Sequence, residues 1–460
     1  MPGKRIQANR TIRLFFFIVL ALFALLSSCG RALPSNGEEA NEPEEGRIWI
    51  PRLAFPPRNP AAEAGYLPLL NRNISLEYLE YTFYLSLAKG LEVTKKNSDF
   101  YLRVHGRIFV DYVHYFEDKN YLGPDGFGLR TVQLDADGRF SDRWLYRLSI
   151  GGMTSGGKFN GSEGYVDDAY VSYVGDKTAW IFGQQNEPIS LEQLESSLAT
   201  TFMERALPNA LSPGKNFGVG FRTIRDQWSL SAGLFGGNLP NAKDQGNEGV
   251  GFTGRFVFQP ENGAQNRVVH LGGSISYRGV TGSEACYYRY RPESGLTNVR
   301  YVNTGDIYGV DRIKQLGLEA AFQSGPLSFQ AEYLMTALDR DSGHDNLWFY
   351  GWYAYVSWFL TGESRRYFPE EAIFGYPEIR SKWGALEFAA RYSMVNLNSG
   401  SVPGGQEKNV TLGLNWYINR NFRVMAEYLW IFCDQTANDD GAVVGGDRPR
   451  IFQMRFQLWF

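Results

Sequence analysis

The stretch Leu102-Arg103-Val104-His105-Gly106-Arg107-Ile108-Phe109-Val110-Asp111-Tyr112 decides the fold. Leu102, Val104, Gly106, Ile108, Val110 and Tyr112 fall at one parity, and Arg103, His105, Arg107, Phe109 and Asp111 at the other. A period of two puts such sets on opposite faces of a β-strand. The alternation runs for about ten residues, which lets a tilted strand cross a bilayer, whereas strands of soluble proteins average about five or six.

Working outward, the same pattern recurs. Trp228, Leu230, Ala232 and Leu234 oppose Ser229, Ser231 and Gly233; Leu316, Leu318, Ala320 and Phe322 oppose Gln315, Glu319 and Gln323; Val410, Leu412, Leu414 and Trp416 oppose Thr411, Gly413 and Asn415. Sixteen such segments lie near 99–113, 128–138, 143–153, 165–174, 178–185, 215–224, 227–236, 249–258, 267–278, 313–323, 326–337, 347–362, 382–397, 408–418, 421–433 and 451–460. Long connections (114–127, 186–214, 237–248, 279–312, 434–450) alternate with tight ones (139–142, 175–177, 225–226, 324–325, 419–420). A soluble β-sandwich would also alternate in polarity. Strand length and this loop pattern instead predict an all-β fold, a sixteen-stranded antiparallel transmembrane β-barrel with short periplasmic turns and long outer loops. The gap at 363–381 breaks the rule and requires one long periplasmic turn. Trp352, Tyr353, Tyr355, Trp358, Trp416, Tyr417, Tyr428, Trp430 and Trp459 suit aromatic girdles. Phe452, Met454, Phe456 and Leu458 share a face and the chain stops on Phe460. Bacterial barrels usually finish on such a terminal aromatic, which the barrel assembly machinery reads. Closure leaves no unpaired edge in lipid.

Composition supports this class and excludes others. The chain has 460 residues, 43% hydrophobic, 15% aromatic and 21% charged, with a formal net charge of −3. Mean hydropathy is too low for a polytopic helical membrane protein, which needs several apolar runs of about 20 residues. The charge balance argues against nucleic-acid binding, and three Cys do not make a disulfide scaffold. Lys4, Arg5, Arg10 and Arg13 precede the apolar run Leu14–Leu26, an export signal by length and flanks. Leu26-Ser27-Ser28-Cys29 is either a lipobox with Cys29 lipidated, or the end of an ordinary signal peptide. The expected organisation is a signal peptide at 1–29, a segment at 30–90, and the barrel at 91–460. The middle segment is an acidic linker followed by an extension that lies in the periplasm or plugs the pore. Within it, Ile74–Leu87 suits a short helix or a strand.

One part of the chain carries a family likeness. It reads Gly183-Gln184-Gln185-Asn186-Glu187-Pro188-Ile189-Ser190-Leu191-Glu192, then Thr201-Phe202-Met203-Glu204-Arg205-Ala206-Leu207-Pro208-Asn209-Ala210, then Pro213-Gly214-Lys215-Asn216-Phe217-Gly218-Val219-Gly220. Further blocks are Phe359-Leu360-Thr361-Gly362-Glu363, Gly384-Ala385-Leu386-Glu387-Phe388-Ala389-Ala390-Arg391-Tyr392-Ser393 and Leu412-Gly413-Leu414-Asn415-Trp416-Tyr417. These strongly resemble the phosphate-selective porin O and P family, bacterial outer-membrane porins, over roughly 91–460. The resemblance implies a homotrimer, a constriction made by the inward-folded loop at 186–214, and the long turn at 363–381. Two departures stand out. The family tends to set closely spaced Arg on the second strand, where this chain keeps Arg130 but places Thr131 and Gln133 inward. The family commonly has Lys where Asn186 stands.

A porin makes no bonds, so its chemistry lies in the charges that face the lumen. Alternation assigns Arg103, Arg107, Arg147, Arg222, Arg255, Arg278, Arg391, Arg423 and Arg455 inward, together with Asp111, Asp135, Asp137, Asp168, Glu319, Glu332, Glu387 and Glu427. Guanidinium stays charged and offers a planar fork of donors to phosphate. The candidate anion-contacting residues are Arg103, Arg107, Arg205, Lys215, Arg222, Arg255 and Arg391. Each could equally pair with a neighbouring carboxylate and hold the wall, and Glu204 beside Arg205 could anchor the loop. The four His show no metal-ligand spacing, no cofactor is expected, and no nucleotide-binding loop is present. Cys286 and Cys433 both lie near outer loops, and their pairing stays open. The expected function is passive diffusion of small anions, phosphate or polyphosphate among them, across the bacterial outer membrane, with its lipid as surroundings. The alternatives are a general small-solute porin, a barrel hydrolase, and a plugged surface adhesin.

Overall fold

In the computed structural model, residues 74–86, 89–153, 165–237, 249–263, 266–280, 285–439 and 441–460 are described, all within one unit, 48–460. The export signal, Cys29 and the acidic linker lie outside the described residues.

The alternating segments are strands. They begin with β4 (Tyr101–Phe116), β5 (Gly126–Arg139), β6 (Trp144–Met153), β7 (Tyr165–Val174), β8 (Thr178–Asn186), β9 (Lys215–Ile224), β10 (Trp228–Phe235), β11 (Gly251–Asn262) and β12 (Arg267–Gly279). They continue with β15 (Val310–Ser324), β16 (Leu327–Arg340), β17 (Leu347–Phe359), β20 (Ala385–Ser399), β21 (Val402–Tyr417), β22 (Phe422–Cys433) and β23 (Arg450–Trp459). Each pairs antiparallel with its neighbours, and β23 pairs with β4, so sixteen strands close into a barrel. At the seam Arg455 lies opposite Asp111 and grips it with two hydrogen bonds, 2.7 and 2.8 Å. Phe460 extends this ladder by exchanging two 3.0 Å backbone bonds with Gly106. A Cβ on Gly106 would meet the Gln133 carbonyl at 2.8 Å and the Phe460 ring at 3.1 Å.

The burial pattern is inverted relative to a soluble protein. Leu134, Leu148, Ile150, Trp180, Phe182, Leu318 and Trp416 are exposed outward, while Gln133, Asp135, Ser149, Glu319 and Asn415 are buried inward. A barrel in lipid requires this arrangement. The turns at 140–143, 175–177, 225–227, 325–326 and 418–421 are tight, and 360–384 is long. One expected outer loop is shorter than its sequence suggests: β20 and β21 extend to Ser399 and Val402, leaving a two-residue connection.

The described residues ahead of the barrel form three short strands, β1 (Ile74–Tyr78), β2 (Tyr81–Ser86) and β3 (Gly90–Lys95). Over its described part, 74–86, the open choice therefore resolves to two strands joined by a turn. β3 pairs with the first residues of β4, from Leu91 opposite Val104 to Thr94 opposite Tyr101. Gly90 makes the join: its φ is +74° and a Cβ would sit 2.2 Å from the Val104 carbonyl. Two ribbons complete the sheets, β13 (Arg289–Tyr290) with β14 (Val302–Asn303) in an outer loop, and β18 (Arg366–Phe368) with β19 (Ile373–Gly375) in the long turn.

Candidate functional site: the constricted lumen

The loop between β8 and β9 folds into the barrel. A one-turn helix, Leu191–Leu194, starts at Ser190, whose Oγ accepts from Gln193 N at 3.2 Å. A 3-10 turn, Leu207–Leu211, follows with Pro at its start. The apolar residues of the loop supply adhesion. Ile189, Leu207 and Leu211 pack with Leu334, Leu338, Phe349 and Val395, while Phe202 and Ala206 pack with Tyr353, Tyr355 and Ala389.

Polar wall residues then catch the loop backbone. Glu332 accepts from Leu191 N (2.8 Å) and Glu192 N (2.7 Å), and Glu427 accepts from Met203 N (2.6 Å). Arg423 donates to the carbonyls of Thr200 (2.8 Å) and Thr201 (3.1 Å), and Gln315 to that of Leu211 (2.6 Å). Two other segments enter the same half of the lumen. From the outer side comes Glu293, fully buried, which accepts from Leu207 N (3.1 Å), Ser393 Oγ (2.5 Å) and Thr411 Oγ1 (3.2 Å). From the opposite side comes the long turn, whose Arg365 pairs with Glu195 of the loop at 3.0 Å.

What remains open is a cavity of about 620 Å³ between the loop and the wall of β4 to β9. Six cations line it, Arg107, Arg130, Arg147, Arg205, Lys215 and Arg455, with five acids, Asp167, Asp168, Glu195, Glu204 and Glu371. Four of the cations are charge-paired. Arg130 grips Glu204 through Nε (2.9 Å) and Nη2 (3.0 Å), and Arg455 holds both Asp111 and Glu204. Arg147 sits between Asp135 (3.3 Å) and Asp168 (3.1 Å), and Lys215 between Asp167 (2.7 Å) and Asp168 (2.8 Å).

The other two have only neutral hydrogen-bond partners. Arg107 donates to Gln133 Oε1 (3.1 Å) and Ser197 Oγ (3.0 Å). Arg205 donates to the carbonyls of Glu192 (2.9 Å), Gln193 (3.3 Å) and Glu195 (2.8 Å). Among the described residues no carboxylate oxygen lies within 4.0 Å of either guanidinium.

The loop acids differ in charge state. Burial opposes ionisation of Glu204, but the guanidiniums of Arg130 and Arg455 outweigh it and hold the group well below the ordinary carboxylate range. Burial pushes Glu195 up to about 7 against the pull of Arg365. Glu192 is likewise raised by burial, opposed by Arg391.

The seven candidate residues separate accordingly. Arg107, Arg205 and Lys215 line the cavity. Arg222 lines a smaller adjoining space of about 130 Å³ and faces Glu371 at 3.5 Å. Arg103 sits near the start of β4, paired with Asp137 at 3.0 Å. Arg255 and Arg391 are buried away from the cavity. Arg255 pairs with Glu319 (2.7 Å) and donates to the carbonyls of Glu371 and Ala372 in the long turn. Arg391 pairs with Glu293 (2.9 Å) and Glu192 (3.4 Å) and donates to the Glu204 carbonyl.

Arg130 and Asp167 escape simple alternation. In β5 the register jumps from Thr131 opposite Phe109 to Leu129 opposite Val110, so Arg130 is the extra residue of a β-bulge and turns inward beside Thr131. A second jump, between Leu148 opposite Ala169 and Ile150 opposite Val166, carries Asp167 and Asp168 together to Lys215. Cys286 and Cys433 sit in different hydrophobic clusters.

A family model described as "Phosphate-selective porin O and P" matches residues 102–460. Porin O of Pseudomonas aeruginosa is 29% identical over 392 residues, covering 76% of this chain and 87% of that protein. An uncharacterized protein of Caulobacter vibrioides is 28% identical over 354 residues, covering 71% and 68%. Among solved structures, an anion-selective porin from Comamonas acidovorans superposes with a TM-score of 0.50 at 13% identity, covering 78% of this chain and 99% of that one.

Proposed function

The chain belongs to the phosphate-selective porin O and P family and is an outer-membrane porin; from that premise we propose that its lumen favours small anions, phosphate among them, through the charges of Arg107 and Arg205. The observation that carries the reading is that these two guanidiniums are held by amide, hydroxyl and carbonyl oxygens alone. Neutral acceptors fix their positions, and the carboxylates that still act on them, Asp135 on Arg107 and Glu192 on Arg205, stand beyond 4.0 Å. Fixed cations in a constriction admit anions and retard cations.

The same cavity supports a second reading. Its other four cations are matched by carboxylates, so its net charge is small. This favours modest anion preference and weak phosphate binding, the behaviour of a general small-solute porin. Reconstitution into a planar bilayer decides between the two. A reversal potential on the chloride side of a KCl gradient, with block by phosphate at low concentration, supports the first. Chloride preference without phosphate block supports the second, and cation preference overturns both. The Pseudomonas aeruginosa relative is named a porin, and the reading includes no catalytic step.

Three further points belong to this reading. The apolar outer wall suits assembly as a homotrimer, which native mass spectrometry of the detergent-solubilised protein tests by its mass. Residues 1–29 act as an export signal, tested by the mass of the mature N-terminus. Residues 30–90 extend into the periplasm rather than plugging the pore, a reading supported by the pairing of β3 with the start of β4, at the end of the barrel that carries the tight turns. Deleting 30–73 then leaves conductance unchanged.

A further inference from the structure

Among the described residues, two pairs of cations face outward, toward lipid, level with the outer ends of their own or neighbouring strands. The first pair is Arg312 and Lys314 on β15. Both share Asp339 of β16, with Lys314 Nζ 2.6 Å from its carboxylate and Arg312 at 3.9 Å. This pair carries its own counter-charge. The second pair is Lys408 on β21 and Arg450 on β23. Lys408 has the parity of exposed Leu412, Leu414 and Trp416, and Arg450 that of exposed Phe456. Among the described residues no carboxylate oxygen lies within 4.0 Å of either.

Register fixes their height and neighbours. Lys408 lies opposite Phe432, one residue from the end of β22. Arg450 lies opposite Trp430 on one side and Phe116, the last residue of β4, on the other. Its guanidinium sits over the Phe116 ring at 5.7 Å. Trp430 and Tyr428 pack edge to face at 4.6 Å between the two cations. Each cation therefore stands at the outer rim, among aromatic rings of the kind that seat at the lipid headgroup level.

A charge on the lipid face of a barrel is tolerated only near the interface, and it is satisfied there by an anionic headgroup. The tight turns mark the periplasmic end, so this rim faces the outer leaflet. We propose that Lys408 and Arg450, with the aromatic row between them, bind the phosphorylated headgroup of an outer-leaflet glycolipid. The apolar rings would lie along its acyl chains while the two cations hold its phosphate. Arg312 and Lys314 do not form such a site, because Asp339 already occupies them. This site is separate from the lumen and does not depend on which solute passes through it.

The test is native mass spectrometry of the intact detergent-solubilised protein, titrated with diphosphorylated lipid A and, in parallel, with its dephosphorylated form. The wild type is expected to retain the diphosphorylated lipid through collisional activation and to lose the dephosphorylated one. The double variant Lys408→Gln/Arg450→Gln should retain about a thirtieth as much of the phosphorylated lipid. Lys314→Gln should retain as much as the wild type. Heat-modifiable migration on gels confirms that each variant is a folded barrel. Three results would overturn the proposal: equal retention by the double variant, equal retention of the dephosphorylated lipid, or a fall in oligomeric mass in the double variant, which would make the patch an interface between copies.

Discussion

The wall of β4 to β9 and the wall of β11 to β23 carry inward charges of both signs, yet they do different work. On the second wall the charged groups are spent on inserted backbone. Glu332, Glu427, Arg423, Arg391 and Arg255 each contact the constriction loop, the long turn or both. On the first wall the loop touches at fewer points, Arg107 to Ser197 and Arg130 to Glu204, and the cavity stays open beside them. The same residue type is thus a fastener on one side and a candidate solute contact on the other. What separates them is whether inserted segments cover the side chain or leave it beside open space.

Breaking a fastener should have the largest effect. Arg391→Met would leave Glu192 and Glu293 buried without their cation. Removing one partner of a buried ion pair typically costs about 3–5 kcal/mol. Denaturant unfolding should register that loss, and single-channel recordings should show a wider, noisier pore as the loop lifts. A variant with wild-type stability and conductance would mean that the anchoring wall does not hold the loop.

Changes on the cavity wall should alter selectivity and leave stability nearly intact. A unit charge about 5 Å from a permeating ion in water contributes about 0.8 kcal/mol, roughly fourfold in permeability. Arg107→Gln should therefore lower the chloride-to-potassium permeability ratio by about fourfold. Asp167→Asn works in the opposite direction by loosening the hold on Lys215. Its effect should be nearer twofold, because Asp168 still binds that ammonium. Ratios from reversal potentials read both.

The smallest expected effect is a pH dependence through Glu195. Its carboxyl titrates near 7 in the folded protein, against an ordinary value of 4.5. As pH rises above about 4.5 an unfolded chain ionises this group while the folded loop keeps its proton, so loop docking is strongest in acid and weakens until about pH 7. Over the upper part of that window a negative charge appears beside the cavity. Anion preference should decline between pH 6 and 8 by about twofold or less, and Glu195→Gln should flatten the profile.

Much of the barrel is legible in the sequence because lipid on one side and water on the other impose strict alternation. All sixteen strands stand where Leu102–Tyr112 and its counterparts place them. The closing pair Arg455 and Asp111 was legible as two inward residues, though not as partners. Alternation fails where a bulge adds a residue: Arg130 and Asp167 turn inward because two register jumps interrupt β5 and β7. Alternation also says which side a charge faces and nothing of what it meets. Arg107 and Arg391 share parity and chemistry, but one lines open space and the other is covered by Glu293 from a loop about a hundred residues earlier in the chain. Only the tertiary contacts separate them.

The reversal potential of Arg107→Gln, measured beside the wild type across one KCl gradient, tests the central claim most directly. If the cations held by neutral acceptors set selectivity, the wild type reverses on the chloride side and the variant moves clearly toward zero with similar conductance. An unchanged reversal potential would contradict the account and return the source of selectivity to the charge-paired residues of the lumen.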